Sequence, residues 1–316
     1  MQTPRLLCVS VDLDPIRCYY GLHALGAPPP GLADVILRRA LPRFLEIFAR
    51  HGIRATIFVV GEDLHGPGAA AKAARALLVQ AASSGHELGN HTFTHPYALT
   101  RLSPAQLGGE IERAHAAIFE IMGIPPRGFR APGYGISAEV FAALERLGYR
   151  YDSSMFPAPG YWAAKAAVMG AQKLLGRESG AVLTDPRGLL APPEPYRPSS
   201  VAPWRRGHSP LVELPIAVTP VVRIPVIGPS LLVAPDIVRT KLLDAMRKRR
   251  FFNLELHGID LIDAEEDGVP AALTLRQPDL RVSLAVKERA LEATLGRLCL
   301  EYEVTTLEEA ARIVAV

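Results

Sequence analysis

Two short polar clusters hold the residues best suited to chemistry in this sequence. The first is Ser10-Val11-Asp12-Leu13-Asp14, two carboxylates separated by one apolar residue. Alternation in an extended chain sends Asp12 and Asp14 to one face, and like charges held close are costly unless a cation joins them. The second is Gly89-Asn90-His91-Thr92-Phe93-Thr94-His95-Pro96, with imidazoles four residues apart. On a helix or an extended segment that spacing puts both rings on one face, within reach of one ion. One carboxylate and two histidines, with positions left open for water, form a common shell for catalytic zinc or iron. The expected ligands are therefore Asp14, His91 and His95. Each cluster alone has an ordinary structural reading: turn or capping aspartates, and partly exposed loop histidines. Three more polar groups bear on the choice: Arg130 before Ala131-Pro132-Gly133-Tyr134, Asp152 before Ser153-Ser154, and His257 at the end of Leu254-Glu255-Leu256-His257. Singly they read as a surface cation, a turn former and a satisfied strand-end histidine.

The elements that must position these residues alternate between strand and helix. Strands are expected at 6–12, 55–60, 87–89, 128–130 and 149–152, and helices at 33–50 and 69–83. Ser103-Pro104-Ala105-Gln106 has an N-cap serine, a first-turn proline and a capping-box glutamine; the helix it starts presents Leu107, Ile111, Ile118 and Met122 and stops at Gly123. Ser137 caps another helix, running to Leu147. Further on, strands at 211–214 and 251–256, helices near 235–249 and 284–298, and a last strand and helix within 301–313 complete the pattern. This order argues for a parallel sheet with helices outside it, open or closed into a barrel. All five polar groups fall at C-terminal ends of expected strands, the face where α/β barrels build their sites. Five such coincidences outweigh the separate ordinary readings.

Between 156 and 210 the pattern dissolves into Pro, Gly and Ala, with one helix-like stretch at 162–176. So long an insertion is a functional loop or lid rather than a mere connection. Tyr161, Trp162 and Trp204 are candidates to stack on a sugar, or simply to pack the insertion. With no internal repeat and no linker, residues 1–316 read as a single catalytic domain.

Bulk properties narrow the function. A chain of 316 residues suits one α/β barrel. Its net charge is only +3, and the basic residues are scattered apart from Arg247-Lys248-Arg249-Arg250 at an expected helix end, so no nucleic-acid partner is expected. No apolar run approaches the roughly 20 residues that span a bilayer, and residues 1–5 lead into a strand without a secretory leader pattern. Cys8, Cys18 and Cys299 lack metal-binding spacing and cannot all pair, and read as reduced thiols. The expectation is a cytoplasmic protein that does not cross the membrane; peripheral contact through apolar residues near 221–229 and the oligomeric state stay open.

The ordered set of motifs resembles the polysaccharide deacetylase (NodB-type, carbohydrate esterase family 4) superfamily across most of the chain. The match comprises an Asp-containing first motif, the complete His91-Thr92-x-x-His95, Arg130-x-Pro132, an Asp152-led fourth motif and Leu256-His257. The resemblance implies a distorted (β/α) barrel, here with a long Pro/Gly-rich insertion. It also implies one divalent metal ion on Asp14, His91 and His95, with zinc first and Co²⁺, Ni²⁺ or Fe²⁺ also suited. By the same likeness Asp12 is the general base, Arg130 holds it, His257 is the general acid and Asp152 orients His257. A backbone N–H near Gly133 or Tyr134 would help hold the oxyanion. Leu13 between the aspartates, Gly133 before the tyrosine and Asp-Ser-Ser in the fourth motif look more like the intracellular branch, which includes enzymes of small cyclic amides and of lipid-linked sugars. The expected substrate is an N-acylated amino sugar, free or lipid-linked, deacetylated or deformylated during glycan biosynthesis. The alternatives are an allantoinase- or imidase-like hydrolase of a cyclic amide and an idle carbohydrate-binding barrel.

Overall fold

The computed structural model describes residues 4–174, 180 and 182–314. In chain order its helices are α1 (Ile16–Leu22), α2 (Leu41–Arg50), α3 (Ala69–Ser83), α4 (Pro104–Met122), α5 (Ala138–Arg146), α6 (Pro159–Leu174), α7 (Gly228–Leu232), α8 (Asp236–Met246), α9 (Ala271–Thr274), α10 (Leu284–Glu301) and α11 (Leu307–Val314). Its strands are β1 (Leu6–Asp12), β2 (Thr56–Val59), β3 (Glu87–Asn90), β4 (Gly128–Phe129), β5 (Tyr151–Asp152), β6 (Val212–Glu213), β7 (Phe251–His257) and β8 (Glu303–Val304). Among the described residues, no helix is long and apolar enough to cross a membrane.

The eight strands form one sheet in the order β6-β5-β4-β3-β2-β1-β7, with β8 also on β1, and every named pair is parallel. All seven residues of β1 are buried, as expected where helices cover a parallel sheet on both faces. One edge of β1 is divided: Leu6 and Leu7 pair with β8, and Ser10 to Asp12 with β2. The two ends of the sheet are stitched together. The Ala217 N–H donates to the Asn253 carbonyl on β7 (3.1 Å), and Asn253 Nδ2 donates to Ser153 Oγ and to the Leu214 carbonyl beyond β6. The result is the expected distorted barrel.

Several helices begin where the sequence marks them. Ser103 and Gln106 form the expected capping box on α4, which ends at Gly123 in the left-handed region, and Ser137 caps α5. The helix expected over 33–50 opens instead as a π-helical turn at Ile36–Ala40 ahead of α2. Pro42, inside the first turn of α2, has no N–H to continue a regular α ladder backwards.

The insertion is more ordered than its composition suggests. Its helix begins at Pro159, and residues 175 and 176 of the expected stretch lie outside the described residues. Tyr196 pairs antiparallel with Glu213, so the insertion covers the exposed edge of β6. Arg249 reaches from the barrel to Glu194 at 3.0 Å.

Candidate active site

The ends of β1 and β3 bring the expected ligands together. Asp14, His91 and His95 are all buried, with ligand atoms within 4.8 Å of one another. One oxygen, Asp14 Oδ1, lies 3.1 Å from His91 Nε2 and 3.1 Å from His95 Nε2. His91 Nδ1 is 2.7 Å from the Arg130 carbonyl, which fixes the tautomer that turns the Nε2 lone pair inward. Both ring nitrogens of His95 are buried without a properly aligned hydrogen bond. An imidazole close to a carboxylate yet misaligned for a hydrogen bond suits two ligands of one ion better than a structural pair, so these residues fit a divalent metal. Burial opposes ionisation of Asp14, but His95 and His91 beside it hold its carboxyl well below the usual range. Burial pushes the His95 imidazole down; Asp14 more than compensates and raises it to about 9.

The His91–His95 spacing works through a loop, not the helix or extended face expected. Thr92 and His95 both have positive φ (64° and 61°), an uncommon conformation for non-glycine residues. Asn90 Oδ1 holds the Thr92 N–H at 2.8 Å, Thr92 Oγ1 accepts the His95 N–H, and Glu110 from α4 takes the N–H groups of Phe93 and Thr94.

Asp12 lies beside the ligands on its own support. Arg130, fully buried, donates from Nη1 to Asp12 Oδ1 at 2.7 Å and is itself fixed by the Ser153 carbonyl and hydroxyl. Its guanidinium rests 4.3 Å from the centre of the Phe58 ring. Arg130 is therefore no surface cation; it holds the Asp12 carboxylate in place.

His257 ends β7 directly across from Asp12 in register. Its carboxylate neighbour is Glu255, two residues earlier on the same face: Asp12, Glu255 and His257 converge within 4.8 Å. Burial works against the imidazolium, but Glu255, then Asp14 and Asp12, raise His257 to about 9. Burial lifts Glu255 itself to about 7 against the pull of His257 and Arg130. Tyr134 Oη donates to Glu255 Oε2 at 3.1 Å.

Asp152, expected to orient His257, has other partners. It accepts from the Ser154 hydroxyl (2.7 Å) and N–H and lies beside Glu213 across the β5–β6 pairing. Burial and then the Asp152 carboxylate keep Glu213 protonated well above its usual range. The place beside His257 is taken by Glu255 on the same strand, while Asp152 is turned to Ser154 and Glu213. The sequence motif that ends in His257 contains Glu255, to which no role was assigned. The available signal was its parity, since Asn253, Glu255 and His257 share one face.

The oxyanion expectation divides as well. The Tyr134 N–H donates to the Ala131 carbonyl and is not free for a substrate, which leaves Gly133. That residue has φ 59° and lines the cavity. Of the three aromatics, Tyr161 lines the cavity. Trp162 donates to the Thr184 carbonyl, and Trp204 is buried under Arg187, so both pack the insertion. The cavity measures about 380 Å³ and contains Asp12, Asp14, His91 and His257 in its wall.

Comparison with known proteins places these features in context. A family model described as polysaccharide deacetylase matches residues 33–151, a stretch that holds His91, His95 and Arg130. A chitooligosaccharide deacetylase from Bradyrhizobium is 34% identical over 109 residues, 34% of this chain and 46% of that protein. A peptidoglycan-N-acetylglucosamine deacetylase from Listeria monocytogenes is 25% identical over 143 residues, 45% of this chain and 28% of the relative. The chain thus spans less than half the length of these curated relatives. A crystal structure from Mycobacterium smegmatis, provisionally assigned as a polysaccharide deacetylase, aligns over 99% of this chain and 91% of that one. Its TM-score is 0.63 at 18% identity, a likeness of fold.

Proposed function

We propose that this chain, which belongs to the polysaccharide deacetylase superfamily, hydrolyses the amide of an N-acylated amino sugar with a divalent ion held by Asp14, His91 and His95. The observation that carries this reading is a convergent ligand set with a supported carboxylate on one side and an imidazole on the other, with Asp12, Asp14, His91 and His257 lining one cavity. A divalent cation there supplies Lewis acidity, which makes water nucleophilic near neutral pH and polarises the acyl carbonyl. Asp12, steadied by Arg130, takes the proton from the attacking water. The Gly133 N–H, at the cavity wall, would help hold the charge that builds on the acyl oxygen. His257, kept protonated by Glu255, passes its proton to the departing nitrogen, a step that amide cleavage needs because an amide anion leaves poorly.

The sugar is proposed to be a cytoplasmic glycan precursor, free or lipid-linked, and the acyl group acetyl or formyl. The cavity, at about 380 Å³, lies at the small end of ligand sites and suits one sugar unit better than a polymer. The same size favours a small cyclic amide as second reading. An idle binding barrel has no use for base, ligands and acid together.

Release of the acyl acid, followed by mass spectrometry across N-acyl sugars, their nucleotide- and lipid-linked forms and cyclic amides, separates these readings. Asp12→Asn and His257→Ala are each expected to lose about 10²- to 10⁴-fold in turnover; unchanged turnover would show the mechanism to be wrong. Protein purified without chelator is expected to carry one equivalent of divalent metal by elemental analysis, and His95→Ala far less. Metal-free wild type that Zn²⁺, Co²⁺ and Ni²⁺ all fail to activate would overturn the whole reading.

A further inference from the structure

The cavity wall contains one cation that nothing in the proposed reaction uses. Lys165, on helix α6 of the insertion, is the single Lys or Arg among the described residues that line it. The other charged or titratable lining groups include Asp12, Asp14, Asp260, Asp279, His91 and His257. The Lys165 side chain has no hydrogen bond or ion pair with any described residue. Other buried cations of the molecule are satisfied: Arg130 by Asp12 and Ser153, and Lys287 by the carbonyls of Ile262 and Asp279. A smaller neighbouring cavity, which Lys165 also lines, includes Asp185. That carboxylate is already taken by Arg187 at 2.9 Å. Burial alone lowers the Lys165 ammonium, and no carboxylate raises it.

The position of this ammonium is set by the fold. Tyr161, one helical turn earlier and on the same face of α6, packs its ring 5.0 Å from Phe156 and 6.4 Å from Tyr134. That contact fixes the start of the helix over the cavity. Ile224, Pro225, Ile227 and Pro229 line the same space, and apolar surroundings strengthen any charge pairing made there. A partly desolvated ammonium without a partner is costly to keep, and an anion supplied from outside would offset that cost.

We propose that Lys165 receives an anionic substituent of the substrate, a phosphate or a carboxylate, so that the amino sugar enters with its acyl amide toward Asp14 and His257 and its negative group under α6. This deepens the amide-hydrolase reading and rests on it.

The test compares N-acetylglucosamine, N-acetylglucosamine 1-phosphate and N-acetylmuramic acid. Binding is measured by calorimetry on zinc-loaded full chain carrying Asp12→Asn, and acyl release on the chain with Asp12 intact. At least one anionic probe is expected to bind ten- to hundredfold more tightly than the neutral sugar, the size of a charge-assisted hydrogen bond. Preference for the phosphate identifies a phosphate-linked sugar, and preference for the carboxylate a sugar acid. Lys165→Met should raise KM for that probe alone, leaving kcat and the neutral sugar unchanged, and Lys165→Arg should keep most of the preference. Equal binding of all three probes overturns the proposal. So does a preference that survives Lys165→Met, because the anion then sits on the metal. A loss shared by neutral and anionic probes in Lys165→Met also overturns it, as a structural role would give. Lys165-dependent anion binding with no acyl release from any probe sinks the hydrolase reading and leaves this assignment standing.

Discussion

Glu255 and His257 share one face of β7, and their proximity decides which of them carries a proton. The general acid must be protonated to work, and His257 stays so up to about 9 because Glu255 is its leading source of stabilisation. The rate is therefore expected to hold on the acid side of that value and fall as pH rises through it. A metal ion at Asp14 adds positive charge nearby and moves this limb to lower pH. Glu255→Gln removes the carboxylate that most favours the imidazolium and should shift the alkaline limb of kcat/KM further down, toward an ordinary histidine, while metal content stays at one equivalent. An unmoved limb would mean that Glu255 does not support the acid. The convergence of Asp14, His91 and His95, and of Asp12 with His257, was legible in the sequence because their short polar motifs, each ordinary by itself, all fall at the ends of expected strands. The partner of His257 was not, because contact between side chains of different strands depends on where each strand lies in the sheet. Asp152 had the right chemistry but sits beside Glu213, whereas Glu255 needed only the alternation of β7 itself.

Elements with local signals were the easiest to read: α4 between its capping box and Gly123, and α5 from Ser137. Strands were read too long where only two residues pair, as in β4, β5 and β6, since pairing partners leave no trace in the strand's own composition. Their close packing shows in Gly128, where a Cβ would run into the buried Tyr151 ring. Tyr151 cannot retreat easily, because its hydroxyl donates to Glu87 at 2.6 Å. Gly128→Ala is expected to destabilise the fold by about 1–3 kcal/mol through overpacking, read from urea unfolding. Gly109 offers the opposite case inside α4, with nothing within 4 Å of its added Cβ. There alanine restricts the unfolded chain and favours the helix, so Gly109→Ala should stabilise by roughly 0.5–1 kcal/mol. If the two substitutions had the same effect, the close approach of β4 to Tyr151 would be refuted.

The barrel and its motifs give the chemistry, but the insertion and the 219–229 segment shape what can approach it. Composition alone read this stretch as loop or lid; the antiparallel pairing of Tyr196 with Glu213 depends on distant chain and was illegible. These segments expose apolar side chains: Val221 is 96% exposed, Leu190 72% and Leu174 90%. Arg223 ties the first two regions together through the Leu189 carbonyl at 2.6 Å, and Leu174 ends the helix that carries Lys165. A lipid-linked substrate, which the proposed function includes, would bring its carrier to this rim, where apolar side chains meet the acyl boundary and a cation meets phosphate. The protein should then co-sediment with vesicles containing a polyprenyl-phosphate N-acyl sugar and remain in the supernatant with plain phosphatidylcholine. Val221→Asp together with Leu190→Asp should weaken that binding by about a hundredfold or more, from the lost burial of two aliphatic side chains, without altering acyl release from a soluble sugar. Because the cavity and the rim act on different parts of the substrate, the soluble sugar serves as the control. Failure to sediment with the loaded vesicles would confine the substrate to soluble precursors and leave the amide chemistry intact.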